Sequence, residues 1–157
     1  MEDLGFERVH CRPITLFRLS RWEWIEPQIS PFTLLVVAHA HDDQISAIQI
    51  RRFATDAVTS GCGSVNTWGR GCELVHDLFD HAAHSVDRFI MSSWHADVPL
   101  SDALYESLVV DFPPYDAFPD AETSGVVLAV EEPWIAEVRQ LVHAQDELAR
   151  LYAPSDV

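Results

Sequence analysis

Two continuous apolar runs are the strongest structural signals in this chain. Residues 32–38 (FTLLVVA) and 125–130 (GVVLAV) contain no charged side chain, and Pro31 precedes the first of them. Runs of this length and composition are typical of the central strands of a parallel sheet, which are buried on both faces. Residues 62–67 and 88–93 are shorter, mixed segments, which we interpret as two further strands of the same sheet.

A stretch with apolar residues at helical spacing follows each predicted strand. Four helices are therefore expected, at about residues 43–60, 72–85, 99–111 and 133–152. Asp42 or Asp43 can cap the first helix, and Asp97 or Ser101 can cap the third. Strands that alternate with helices in this way predict a parallel sheet that is covered by helices on both faces.

The N-terminal segment is expected to add one more strand. Residues 9–14 have strand character, and Pro13 places them at a sheet edge because proline lacks an amide donor. Residues 16–31 carry many large apolar groups and are expected to pack on the body of the domain. We expect one three-layer α/β/α domain over residues 1–157, with the edge strand and connector in 1–31 and the core in 32–152. Counted in chain order, the four core strands are expected in the spatial order 2-1-3-4.

The charge of the chain narrows the classes of function. The formal net charge is −15, and every basic residue is an arginine. Proteins that bind the phosphate backbone of nucleic acids need basic patches, so direct nucleic-acid binding is not expected. Acidic residues predominate from about residue 89 to the end of the sequence. An acidic segment of this kind is typical of a solvated surface, and it could also bind a positively charged partner.

The sequence predicts neither a membrane span nor a secretory leader. Its longest apolar run is far shorter than a bilayer requires, and it opens with acidic residues. Cys11, Cys62 and Cys72 are an odd number of cysteines without a framework spacing, so we expect reduced thiols and a cytoplasmic location. Cys62 should begin a strand and Cys72 should lie on the inner stripe of a helix, positions that do not favour a nucleophile.

The residues that follow the predicted strands carry the candidate chemistry. In open parallel sheets, ligands bind beyond the carboxyl ends of the strands, near the point where the strand order reverses. With the expected order, a crevice opens between the strands that end at Ala38 and Ser93. His39, His41, Trp94 and His95 are expected to flank this crevice, with Trp68 one strand further out. The candidate binding residues along this edge are His41, Trp68, Arg70, Trp94 and His95.

Tryptophan and histidine together make the mixed surface that a ligand or partner anchor uses, although tryptophan also caps cores at such edges. Trp94 and His95 are therefore predicted to be at least partly exposed. Their joint replacement by alanine is expected to impair function more than folding.

The segment Gly69-Arg70-Gly71 admits two interpretations. It can cradle an anion at the start of a helix, or it can simply form a tight turn. The dinucleotide-binding fingerprint would need a glycine at position 74, where Leu74 stands. The tight turn is therefore favoured over nucleotide binding.

Residues 39–43 (HAHDD) follow the first predicted strand and form a metal-like cluster. The run is similar to the His-Pro-Asp-Asp run of zinc-dependent N-acetylglucosaminyl deacetylases, which also follows a first strand. The resemblance implies zinc held by His39, His41 and Asp43. The proline is missing here, and Gln44 stands where that family has an acid. Because the same residue types cap helices without a metal, we expect no cofactor and keep zinc as the alternative.

A second resemblance rests on short motifs in the middle of the chain. These motifs are Gly61-Cys62, Thr67-Trp68-Gly69, Cys72, Asp77, Asp80, residues 87–91 (DRFIM) and Trp94-His95. They resemble motifs of a family of small bacterial proteins that is known only as a domain of unknown function. The likeness covers about residues 32–152 and implies a small Rossmann-like α/β unit without an established activity.

Two classes of function are consistent with the sequence. The first hypothesis is a small acidic binding or accessory module, of the kind found among immunity and defence proteins, that takes a protein partner or a small ligand at the carboxyl ends of the strands. The second is a small metal-assisted hydrolase or transferase that uses His39, His41, Asp43 and His95.

Overall fold

The computed structural model describes residues 2–3, 12–121 and 124–151, and the side chains of residues 12–121 and 124–146. The strands are β1 (Glu2–Asp3), β2 (Ile14–Arg18), β3 (Phe32–Val37), β4 (Cys62–Trp68), β5 (Met91–His95) and β6 (Gly125–Val130). The helices are α1 (Gln44–Thr59), α2 (Cys72–Ser85), α3 (Leu100–Tyr105) and α4 (Ile135–Leu151). A π-helical turn, Glu106–Val110, extends α3, and a 3-10 turn, Glu132–Trp134, precedes α4.

The strands form one six-stranded sheet in the order β1-β2-β6-β3-β4-β5. All neighbouring strands are parallel except β1, which runs antiparallel to β2. The prediction of an α/β fold with a parallel sheet and four helices is therefore confirmed, but five strands are parallel rather than the predicted four, because β2 also pairs in parallel. The predicted order 2-1-3-4 is wrong, because in the same numbering the core strands lie in the order 4-1-2-3.

The position of β5 explains the error in strand order. The prediction placed this strand inside the sheet, but it lies at the edge and pairs only with β4 among the described strands. Its sequence, MSSWH, is polar and partly exposed, whereas β3 and β6 are buried throughout and pair with each other along their whole length. A strand with one free edge tolerates polar side chains that a central parallel strand does not.

The N-terminal strand also differs from its prediction. The strand is Ile14–Arg18 rather than residues 9–14, and it pairs in parallel with β6 inside the sheet. Residues 9–11 lie outside the described part of the chain. Pro13 directly precedes the strand, so its lack of an amide donor does not interrupt the hydrogen bonds of the sheet. Its carbonyl oxygen accepts from the amide of Val126.

Side chains of β3 alternate between the two faces of the sheet. Leu34 and Val36 belong to a core cluster that includes apolar residues of α1 and α2. Leu35 and Val37 belong to a second cluster with apolar residues of α3 and α4. The sheet is therefore covered on both faces, and each face is closed by one pair of helices.

The hydrophobic pattern of the sequence predicts ten core residues, and nine of them are buried. The buried ones are Leu35, Val37, Val65, Phe79, Ile90, Leu104, Val127, Leu128 and Val138. Leu141 is half-buried and packs at the margin of the second cluster. The connector before β3 packs on the first cluster, as predicted. There the Trp24 ring stacks on Phe32 at a centroid distance of 5.8 Å and meets the ring of Phe53 edge-on at 5.3 Å.

One of the two predicted helix caps differs in the structure. Asp43 caps α1, as expected, by accepting from the amide of Ser46 at 2.8 Å. The cap position of α3 is Pro99, and no side chain caps this helix, so the prediction of Asp97 or Ser101 is wrong. None of the helices in the described ranges has the length and apolar character that a bilayer crossing requires.

Arg12 ties several elements together at the amino end of the sheet. Its side chain is fully buried, and its guanidinium donates to the carbonyl oxygens of Asp111 (2.8 Å) and Ser107 (3.1 Å) and to the hydroxyl of Thr33 (2.7 Å). It also donates to the carbonyl oxygen and hydroxyl of Ser124. These contacts join the starts of β3 and β6 to the turn that follows α3, so one cation fixes the end of the sheet that faces away from the candidate site.

Candidate functional site

The strand order determines which strand ends meet at the carboxyl edge of the sheet. β3 is flanked by β6 and β4, and β5 lies beyond β4. The reversal of strand order therefore falls between β3 and β6, because α1 and α4, which follow them, pack on opposite faces. The predicted crevice between the strands ending at Ala38 and Ser93 is wrong, since β4 lies between those two strands.

His39 is the central residue of this edge. Its backbone amide donates to Glu131 Oε1 (3.0 Å), and its ring nitrogen Nδ1 accepts from the amide of Arg70 (2.9 Å). The ring also meets Trp134 edge-on at 4.5 Å. Because Nδ1 is an acceptor, the neutral ring carries its proton on Nε2. His39 thereby links the ends of β3, β4 and β6 and presents a defined donor.

A cavity of about 510 Å³ opens beyond the ends of β4 and β5. His39, Trp68, Arg70 and His95 all contribute to its wall, together with the start of α2. We call it the rim cavity. Its volume lies within the range of small-ligand sites. Three of the five predicted binding residues, Trp68, Arg70 and His95, therefore come together here.

The Trp68 side chain is fixed on the wall of the rim cavity. Its indole Nε1 donates to the carbonyl oxygen of Val98 at 2.9 Å, which ties the loop after β5 to the end of β4. Its ring meets Trp134 edge-on at 5.7 Å. Trp68 is neither fully buried nor fully exposed, so the indole supplies a held apolar surface rather than a freely moving one.

A chain of hydrogen bonds orients His95. The buried Asn66 donates from Nδ2 to Asp111 Oδ2 (2.8 Å), and a carboxylate can only accept. Asn66 Oδ1 therefore faces His95 Nε2 (2.9 Å) and the hydroxyl of Ser93, and both must donate to it. The neutral His95 ring carries its proton on Nε2, which leaves Nδ1 as the acceptor of this side chain.

The loops that follow β3 and β4 pack so closely that positions 69 and 71 require glycine. Gly69 has φ 117°, and a Cβ at this position would lie 2.1 Å from the carbonyl oxygen of Ala38. Gly71 has φ 77°, and a Cβ there would lie 2.6 Å from the carbonyl oxygen of Ala40. The amide of Ala40 in turn donates to the carbonyl of Arg70 at 2.8 Å. These contacts support the tight turn as the role of this segment.

A second cavity, also about 510 Å³, lies on the other side of His39, where the strand order reverses between β3 and β6. Its wall includes His39, His41, Arg21 and the two glutamates after β6. One of these glutamates, Glu132, pairs with Arg18 at the end of β2 at 2.5 Å. His41, a predicted binding residue, is thus separated from Trp68, Arg70 and His95 and belongs to this second cavity.

The proposed zinc ligands do not form a metal site in the described structure. Both carboxylate oxygens of Asp43 accept from Ser46, one from its amide and the other from its hydroxyl, and these bonds lower the pKa of the carboxyl. Asp43 contributes to the wall of neither cavity. Within the described ranges, no group of three histidine, cysteine or carboxylate side chains is arranged to hold a metal ion.

Trp94 lies away from the rim cavity. Neighbouring residues of a strand point to opposite faces, so His95 turns toward Asn66 while Trp94 packs on His76 of α2. Trp94 is exposed and His95 is half-buried, so both are at least partly exposed, as predicted. Their joint replacement would disturb two different surfaces, and the two residues are better replaced singly.

The two described cysteines are buried thiols. Burial raises the pKa of Cys62 to about 12. Burial also raises the pKa of Cys72, which lies at the start of α2 and forms part of the wall of the rim cavity. A thiol with a raised pKa holds little thiolate at neutral pH, so neither group is prepared for nucleophilic attack. Cys11 lies outside the described residues.

Sequence reasoning missed three residues that shape the rim cavity. Asn66 and Asp111 orient His95, and Trp134 supports His39 and Trp68. One signal was present for Asn66, since an amide in the middle of a buried strand needs a polar partner. No pattern in the sequence links Asp111 or Trp134 to the ends of β4 and β5, because these contacts depend on the tertiary fold.

The sheet and its rim define a parallel α/β protein with its candidate site beyond the carboxyl ends of the strands. The chain belongs to a family described as a domain of unknown function (DUF7684), whose model matches residues 15–140. This agrees with the expected family of unknown function. No curated protein and no solved structure matches the chain.

Proposed function

We propose that the protein is a binding module for a small planar polar ligand, which occupies the rim cavity. One observation carries the proposal: His39, Trp68, Arg70 and His95 converge on a cavity of ligand size at the carboxyl edge of a parallel sheet. The fixed tautomers of the two histidines support it, because positioned polar groups on a mostly apolar wall provide specificity.

The chemistry of the wall supports the class of ligand. Trp68 offers an apolar aromatic surface, and the guanidinium of Arg70 is planar and can stack or donate. His39 supplies a donor at Nε2, and His95 supplies an acceptor at Nδ1. A flat heterocycle with one donor and one acceptor would match these groups, with its ring against the indole.

The metal-assisted hydrolase or transferase gains no support from the geometry. Asp43 is occupied as the cap of α1, and His41 and His95 line different cavities. The buried Cys72 thiol, with its raised pKa, offers no nucleophile next to the rim cavity. Binding without covalent chemistry is therefore the function that the arrangement supports best.

Replacement of rim residues should weaken ligand binding without unfolding the protein. A library of water-soluble nitrogen heterocycles would be screened against the wild-type protein by saturation-transfer NMR. For the compounds that bind, Arg70→Ala and His95→Gln should each raise Kd by about tenfold or more, since each removes one positioned polar contact. Titration calorimetry would give the Kd values, and thermal unfolding would report the fold.

Arg51→Ala is the matched control for this test. Arg51 is an exposed arginine on α1 that contributes to the wall of neither cavity, so its loss changes the net charge equally and should leave Kd unchanged. A screen without binders would contradict the proposal. Binders with equal affinity for the wild type, Arg70→Ala and His95→Gln would also contradict it.

A further inference from the structure

β5 leaves one edge of the sheet open. The strand pairs with β4 on one side, and no strand among the described residues pairs with its other side. Large apolar side chains are exposed along this edge: Phe89 is 68% exposed, Met91 48% and Trp94 45%. An open strand edge with exposed apolar side chains is a template for pairing with another extended chain.

Trp94 is held in place on this edge. Its ring packs on the buried ring of His76 at a centroid distance of 4.6 Å. His76 Nδ1 lies 3.0 Å from Asp77 Oδ1, and Nε2 lies 3.1 Å from the hydroxyl of Ser92 and 3.5 Å from Asp80 Oδ2. The indole therefore rests on a fixed support and keeps an exposed surface. Such a preorganised aromatic group is the usual anchor of a protein interface.

The surroundings of β5 are acidic. Asp87 and Asp97 lie just before and just after the strand, and Asp77 and Asp80 lie beside it on α2, all of them exposed. Arg88 is the single basic residue of the segment 73–106, apart from histidines. This local charge favours a basic occupant and repels an acidic one.

We propose that the open edge of β5 binds an extended, basic segment of a partner protein, which adds a strand to the sheet. The backbone of β5 supplies the hydrogen bonds, Trp94 and Met91 supply apolar anchors on the two faces, and the aspartates select for lysine and arginine. A second copy of this chain is the less suitable occupant, because it would bring the same aspartates and a further net charge of −15. His95 and Asp97 border both this edge and the rim cavity, but the anchors Trp94 and Met91 do not line the cavity, so this inference does not depend on the proposed ligand.

A phage-displayed library of random dodecapeptides provides the test. Peptides selected on the full chain should be basic and should alternate apolar and polar residues, and fluorescence anisotropy of a labelled peptide would give its Kd. Trp94→Ser should weaken binding by about tenfold or more, as expected for an aromatic hot spot. Tyr115→Ser, which removes a 56%-exposed aromatic side chain from a loop, should leave Kd unchanged.

A second variant tests the role of charge without disturbing the fold. Asp87 and Asp97 have φ 53° and 58°, in the left-handed region that asparagine tolerates, so the Asp87→Asn, Asp97→Asn variant keeps the backbone. It should weaken binding several-fold at low salt and reduce the dependence of Kd on salt. Hydrogen exchange should become slower at residues 91–95 when the peptide binds.

Three outcomes of the library selection would overturn the inference. The library could yield no binder, it could yield acidic peptides, or it could yield peptides whose affinity is the same for Trp94→Ser and Tyr115→Ser. A dimer in sedimentation velocity that Trp94→Ser abolishes would assign the edge to a second copy instead.

Discussion

Replacement of Arg12 by methionine should lower the free energy of unfolding by about 3–5 kcal/mol. The variant fills a similar volume but leaves the buried carbonyl oxygens of Ser107 and Ser124 without their Arg12 donor, while that of Asp111 keeps only the Thr33 hydroxyl, and each unsatisfied group costs roughly 1–3 kcal/mol. Burial lowers the pKa of Arg12 to about 10, so the side chain is still a cation at neutral pH. Its burial is tolerated because these hydrogen bonds replace its hydration.

Urea denaturation followed by circular dichroism would measure this effect. Arg12→Lys should lose most of the same stability, because an ammonium group cannot reproduce the planar donor array of the guanidinium. Arg51→Met on the exposed face of α1 is the control, and it should change the free energy of unfolding by less than about 0.5 kcal/mol. A midpoint for Arg12→Met close to that of the wild type would show that the buried network does not stabilise the sheet.

Replacement of Leu128 by alanine should lower the free energy of unfolding by about 2–4 kcal/mol. Leu128 is fully buried in β6, between β2 and β3, and it belongs to the core cluster beneath α3 and α4. Its neighbours lie on two strands and two helices, which cannot all move inward, so a cavity should remain in addition to the lost transfer energy.

Val110→Ala is the control for the Leu128 variant. Val110 is also apolar but is 51% exposed, so its truncation removes little buried area and should cost less than about 0.5 kcal/mol. Both variants would be compared by urea denaturation under identical conditions. A loss below about 1 kcal/mol for Leu128→Ala would contradict the placement of β6 at the centre of the sheet.

The sequence predicted the elements better than their arrangement. Continuous apolar runs predict β3 and β6, and apolar residues that recur at helical spacing predict α1 and α2. Hydrophobic pattern does not encode which parallel strands are neighbours, because every central strand is buried on both faces. The polar character of β5 was the one available sign that this strand lies at an edge.

The candidate site was predicted in part for a similar reason. Trp68, Arg70 and His95 come together because they follow neighbouring parallel strands, whose carboxyl ends share one edge of the sheet. Trp94 does not join them, and the twofold alternation of side chains along a strand could have shown this. The support from Asp111 and Trp134 depends on how the turn after α3 and the start of α4 fold onto the rim, which no local pattern specifies.

A crystal structure of the protein soaked with the heterocycles that bind in solution would show whether the rim cavity is the ligand site. We expect density for the ligand in the rim cavity, with its ring against Trp68 and hydrogen bonds to His39 Nε2 and His95 Nδ1. Ligand density confined to other surfaces, with the cavity lined by His39, Trp68, Arg70 and His95 left empty in every soaked crystal, would contradict it.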